Sequence, residues 1–226
     1  MAFLAGVDEA GYGPFVGPLV IGFSLFRVPP QDAELWEILR PVAAPKAART
    51  RGDRRLWLDD SKLVHQGPQG RARLARSVAA FRELAAPGRN LLETWVSEPP
   101  AGPARLLRAS PWHRELPGLL CEGADDGRAR LDADALRRRL DGSGCALMGF
   151  GARAAPANEW NQLLDAHGDN KGHAHFSVTM EVVKHLLEVS GDAPLRIELD
   201  RHGGRLRYAE KLRAALACDA IDIHGE

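Results

Sequence analysis

Cysteine is scarce in this chain of 226 residues: Cys121, Cys145 and Cys218 stand far apart, odd in number and without a CxxC pair. That usage argues against a disulfide framework and against a structural zinc site. Lysine is scarce too, at 5 against 25 arginines. Two readings of the imbalance stay open: a compositional bias that shows also in the abundant alanine, and selection for guanidinium forks that grip phosphate. Net charge is missing, because 30 basic residues balance 30 acidic ones. The strongly basic signature of a nucleic-acid-binding domain is therefore absent, although a local basic face is not excluded. The opening apolar run is too short to span a membrane. The opening MAFLAGVDEAG lacks the basic start of a signal peptide and meets acid at Asp8, so a cytoplasmic protein is expected. There is no internal repeat, low-complexity tail or heptad pattern. What remains, 45% hydrophobic and 27% charged residues, is the makeup of one soluble domain with enough chain to bury a core.

The first apolar run, Ala2 to Val7, predicts a buried strand ending on two consecutive acids, Asp8 and Glu9. A glycine-punctuated stretch, AGYGPFVGP, separates it from a second run, Leu19 to Val28, and the two read as an antiparallel pair. A short helix is expected around Glu34 to Leu39, a mobile basic loop over 41–55, a helix start at Asp60 and Ser61, and a helix over Gln69 to Ala86. Five prolines between residues 97 and 130 argue against long regular elements there, with one short helix expected over Leu131 to Leu140. A strand at Cys145 to Phe150, helices over Ala157 to Ala166 and Ala174 to Val189, a strand at Leu195 to Leu199 ending on Asp200, a helix over Arg205 to Leu216 and a last strand at Ala220 to Ile223 complete the order. A strand hairpin followed by strands alternating with helices implies an α/β fold, a mixed central sheet flanked by helices.

Strand ends in such sheets are where active sites gather, so acids arriving there from distant positions are candidates to converge. Two carboxylates about 4 Å apart at an effective dielectric near 20 repel by about 4 kcal/mol, which a proton or a cation must relieve. All-oxygen ligands favour Mg²⁺ or Mn²⁺ over zinc. Adjacent strand residues face opposite ways, so Asp8 and Glu9 reach one ion only if the strand breaks at Glu9, which Gly11 and Gly13 would permit.

With these residues in view, DEAGYGPFVGPLVIG (residues 8–22) resembles the N-terminal signature of type 2 ribonucleases H, the ribonuclease HII family, whose pattern is close to DEAGRGPLAGPVV. DSKL at residues 60–63 is similar to that family's DSK motif, and Asn170, then a hydrophobic helix, then a strand ending on Asp200 matches its later order. The resemblance covers residues 1–86 and 145–226. It implies a ribonuclease H-like fold in one domain, 1–226, with a Pro-rich insertion around 97–143. It also implies Mg²⁺- or Mn²⁺-dependent endonucleolytic cleavage of RNA in RNA–DNA hybrids or at ribonucleotides embedded in duplex DNA, by a monomer. Of the family's four carboxylates, Asp8, Glu9 and Asp200 match three as metal ligands, and Glu226, in IHGE, is the candidate for the fourth. Gly11, Tyr12 and Gly13 match the glycine loop that contacts the ribose 2′-OH, the group that distinguishes RNA from DNA, and Lys62 matches the lysine that reaches a phosphate.

The chain departs from the pattern at Tyr12, where the family has Arg. Its ring could stack on a base or ribose, and its hydroxyl could donate one hydrogen bond. A non-catalytic nucleic-acid-binding module that keeps the fold is the competing expectation. His167, Asp169, His173 and His175 make a metal cluster by count, but Gly168 and Gly172 put them on a flexible turn and His-x-His lacks the i, i+4 spacing that aligns ligands on one helix face. His202 follows Asp200 closely enough to assist a proton transfer. Two basic stretches, 46–55 and 196–213, are candidates to hold a phosphate backbone.

Overall fold

The computed structural model describes residues 1–9, 18–29, 34–88, 126–199, 209–216 and 221–222. The two N-terminal apolar runs form strands β1, Ala2–Glu9, and β2, Leu19–Val28, paired antiparallel from Ala2↔Val28 to Glu9↔Ile21. Their period-two patterning sends alternate residues to opposite faces. Ala5, Val7, Ile21, Phe23 and Leu25 enter one core, and Phe26 and Val28 enter another, with Leu4 packed against it. Two short strands, β3 at Ala43–Ala44 and β4 at Leu56–Trp57, pair parallel in a separate ribbon. Strand β5, Ala146–Ala155, adds to β2 antiparallel, and β6, Leu195–Leu199, adds to β1 parallel, giving a four-stranded mixed sheet in the order β5-β2-β1-β6.

Helices cover both faces. On the face of Ala5 and Val7 lies α6, Lys171–Ser190, whose Val178, Val182 and Leu186 recur at helical spacing and are fully buried. Each such side chain contributes about 1.5–3 kcal/mol of burial. On the other face α3, Gly70–Ala85, packs with α4, Asp126–Gly142, through Ala80, Phe81, Leu136 and Leu140. Shorter helices α1, Leu35–Leu39, α2, Ser61–Val64, α5, Ala157–Ala166, and α7, Ala209–Leu216, complete the set among the described residues. The α2–α3 joint demands glycine at position 70, where a Cβ would sit 1.8 Å from the His65 carbonyl oxygen. No helix among the described residues is long and apolar enough to cross a membrane.

Three expectations are corrected. Residues 41–55 are not a mobile loop: they hold β3, a 3₁₀ turn at Lys46–Ala48, and a web of arginine bonds to backbone carbonyls, from Arg49 to Asp53, Arg55 and Leu56 and from Arg55 to Arg40 and Ala48. The helix expected over Leu131 to Leu140 is longer: α4 starts five residues before Leu131 and buries Ala129, Ala133, Leu136 and Leu140 on one stripe of the core. Residues 97–125 of the expected insertion lie outside the described residues. Finally, of the expected last strand only Ile221 and Asp222 are described, and neither belongs to a strand.

Candidate active site

Strands β1 and β6 run parallel, so their C-terminal ends lie side by side, and the ladder closes with Val7 opposite Leu199. Asp8 is the next residue on β1. It lies on the face of Leu4, opposite to Val7, and is exposed. Its Oδ1 accepts a hydrogen bond from the Glu9 backbone N–H at 2.8 Å, and among the described residues no side-chain cation pairs with it. On β6, Leu195, Ile197 and Leu199 pack against the α6 core, while Arg196 and Glu198 turn to the side of Asp8 and pair with each other at 2.7 Å in solvent. Asp200 follows Leu199 in the chain and lies outside the described residues, as do Gly11, Tyr12, Gly13, His202 and Glu226.

The expected break at Glu9 does not occur. Glu9 remains in the ladder opposite Ile21, so alternation turns its side chain to the face of Ala5 and Val7, away from Asp8. There it meets α6. His175 belongs to the buried stripe of that helix, 1% exposed, and its Nε2 stands 3.4 Å from Oε2 of Glu9. Sequence reasoning put His175 inside a helix starting at Ala174 but also counted it among residues on a flexible turn. The helix instead begins at Lys171, and the spacing of His175 to Thr179, Val182 and Leu186 is the core pattern that signals its place.

The other histidines have structural work. Gly168 and Asp169 both adopt left-handed backbone, φ 59° and 60°, which ends α5 at His167. His173 on α6 lies 2.9 Å by Nε2 from the Lys211 ammonium on α7, so the ring nitrogen accepts and the lysine donates. Among the described residues no three His, Cys, Asp or Glu side chains gather as a metal site. Asn170 caps α6, its Oδ1 accepting from the His173 N–H at 3.1 Å.

Lys62 sits in the first turn of α2 and is exposed. The motif around it is ordered by its own acids. Asp60 caps the helix by accepting from the Lys62 N–H at 2.8 Å, and Asp59 accepts from the Lys46 N–H at 2.7 Å. Among the described residues no hydrogen bond or ion pair joins Lys62 to Asp8. Sequence reasoning missed Arg153, a guanidinium inside β5 that is 3% exposed and bonded to Glu159 and Glu181. Burial alone would lower its pKa. The hydrogen bonds that it donates to the two carboxylates outweigh that, and the value is raised.

No family model, no curated protein and no solved structure matches the chain.

Proposed function

We propose that this chain is a ribonuclease H-like, Mg²⁺- or Mn²⁺-dependent endonuclease that cleaves the RNA strand of RNA–DNA hybrids or ribonucleotides embedded in duplex DNA. One observation carries the reading: the two strands that run into acid are parallel neighbours, in register to the residue before each acid, Val7 opposite Leu199. The motif at residues 8–22 and the sheet that sets Asp8 at a strand end agree with it. Each acid is the next residue of the chain after that last pair, Asp8 after Val7 and Asp200 after Leu199. Two carboxylates brought close repel, which a proton or a cation relieves, and Asp8, exposed and bonded among the described residues only to its neighbour's N–H, has lone pairs left to give. A divalent ion there would lower the pKa of a bound water and steady the leaving oxygen.

Within this reading Asp8 and Asp200 hold the metal, Glu226 is the candidate for a further acid, Gly11, Tyr12 and Gly13 contact the ribose, and Lys62 contacts a phosphate. Glu9, turned towards His175, fixes the end of β1 against α6 and reaches the metal only if the strand end rotates. That orientation of Glu9 favours a second reading, a nucleic-acid-binding module without turnover. Hydrolysis of an end-labelled RNA–DNA hybrid with Mg²⁺ or Mn²⁺ separates the two. Cleavage lost by more than about 100-fold in Asp8→Asn and in Asp200→Asn, with unchanged circular dichroism, is the expected result. Absence of cleavage of every RNA-containing duplex, or cleavage indifferent to Asp8→Asn, overturns the catalytic reading.

A further inference from the structure

Charge in this neutral chain is not evenly spread. Residues 46–76 carry nine basic side chains and three acidic ones. The acids are already engaged: Asp53 with Arg55 at 2.6 Å, Asp59 with the Lys46 backbone, and Asp60 as the cap of α2. Two arginines at the centre of the stretch are held without a carboxylate. Arg49 gives hydrogen bonds to the carbonyls of Asp53, Arg55 and Leu56 at 3.0–3.1 Å, and its guanidinium lies 5.1 Å from the centroid of the Trp57 ring. Arg73, on α3, gives one to the Gln66 carbonyl at 3.1 Å and lies 4.5 Å from the same ring.

A solvated arginine on a helix face wanders over many rotamers, and any anion that binds it must first order it. Arg49 and Arg73 are half-buried and already fixed, by carbonyls that accept hydrogen bonds without cancelling charge and by the indole face that attracts cations. Like charge accumulates as a result. Burial lowers the Arg49 pKa, Asp53 opposes this, and the nearby charges of Arg55, Arg76 and Arg73 lower it further. An external anion relieves that repulsion. Planar guanidinium groups match phosphate oxygens two at a time. No large exposed apolar side chain among the described residues falls between positions 41 and 76, so the patch lacks the apolar wedge by which an interfacial element enters a membrane.

We infer that the surface formed by residues 46–57 and the adjoining turns of α3, centred on Arg49 and Arg73, binds the phosphate backbone of a nucleic-acid duplex without reading its sequence. The surface packs through Leu56 into the core on the Asp8 side of the sheet, the side on which the proposed carboxylate centre opens. The inference rests on the nuclease reading for the identity of the polyanion and on none of the carboxylates of that reading.

Fluorescence anisotropy of labelled RNA–DNA hybrid and of duplex DNA in two unrelated sequences, with EDTA and salt from about 50 to 200 mM, tests it. In Arg49→Gln/Arg73→Gln, affinity falls for every duplex alike, and the slope of log K against log salt shrinks by roughly 2, about 0.9 for each phosphate that the variant no longer neutralises. Arg51→Glu/Arg54→Glu changes only exposed side chains of the same loop and lowers affinity in the same sequence-independent way, which keeps the test valid if the first pair misfolds. Wild-type affinity and slope in both variants overturn the surface, as does equal binding to polyglutamate or to phosphatidylserine vesicles. A protein that cleaves hybrid but whose variants bind normally loses this surface and keeps its nuclease reading. One that never cleaves but loses its salt slope in the variants does the reverse.

Discussion

Nε2 of His175 stands 3.4 Å from Oε2 of Glu9, joining the buried stripe of α6 to the last residue of β1. Adjacent acids therefore have unlike surroundings: Glu9 is covered by a helix, and Asp8 is exposed. His175→Ala removes both the partner of Glu9 and a filled core position, and is expected to cost about 2–4 kcal/mol. Asp8→Asn leaves stability within about 0.5 kcal/mol. Urea unfolding midpoints at constant m-value check the pair, and a large cost for Asp8→Asn would contradict the alternation of β1.

Arg153 offers a second stability test. Its guanidinium joins β5 to Glu159 on α5 and Glu181 on α6 from a position 3% exposed. Removing one member of a buried pair leaves its partners uncompensated, which costs about 3–5 kcal/mol in full burial. With the Glu181 side chain 46% exposed, Arg153→Ala is expected at the lower end of that range. Arg153→Lys recovers only part of it, since an ammonium cannot fork to two carboxylates as a guanidinium does. Thermal unfolding of the two variants beside wild type measures the difference.

At the DSKL motif, structure and binding separate by residue. Asp60→Ala removes the cap of α2 and is expected to cost about 1 kcal/mol, because the Lys62 N–H loses its acceptor. Lys62→Ala leaves the unfolding midpoint unchanged and weakens binding of hybrid. An equal stability loss in both variants would show that Lys62 has a structural role the geometry does not explain.

Asp53 carries a pH prediction. Hydrogen bonds from the Arg55 side chain and backbone hold its carboxyl well below the usual carboxylate range. A carboxylate depressed in the folded state stabilises above its unfolded pKa and loses that contribution as pH falls through the folded value. The stability advantage of wild type over Asp53→Asn is therefore constant from neutral pH to about pH 4 and declines only below it. Paired thermal scans across that range follow the advantage, and a decline beginning near pH 6 would contradict the depressed value.

Much of the fold is legible in the sequence because local pattern and global role coincide in it. The alternation of Ala5, Val7, Ile21 and Phe23 announces a hairpin with one buried face, and Asp60 announces a helix start. Helix α4 reads short because Ala129 and Ala133, its first buried positions, are too small to stand out among the charged residues around them. The second half of β5 escapes because Arg153 interrupts an apolar run, and only the carboxylates of two later helices make that arginine tolerable. Order in residues 46–57 comes from arginines bonded to carbonyls, an interaction that leaves no periodic trace in a sequence. Of the candidate site, the sequence shows which strands end in acid. It does not show that these strands are neighbours, nor that Glu9 faces a helix.

The pairing of β1 with β6 sets Phe3 beside Leu195, so two stretches from opposite parts of the chain share one ladder. The hairpin of β1 and β2 needs only a short loop to close, whereas β6 must return across α3, α4 and α6 to reach its place. Closing so long a loop is a slow, late step, favourable only once most of the core has formed. During synthesis the first strand waits with one edge open until residues 195–199 arrive. A nascent chain that already holds Asp8 therefore lacks β6 beside β1, so any activity that depends on the joined ends of these two strands begins only when folding is nearly complete.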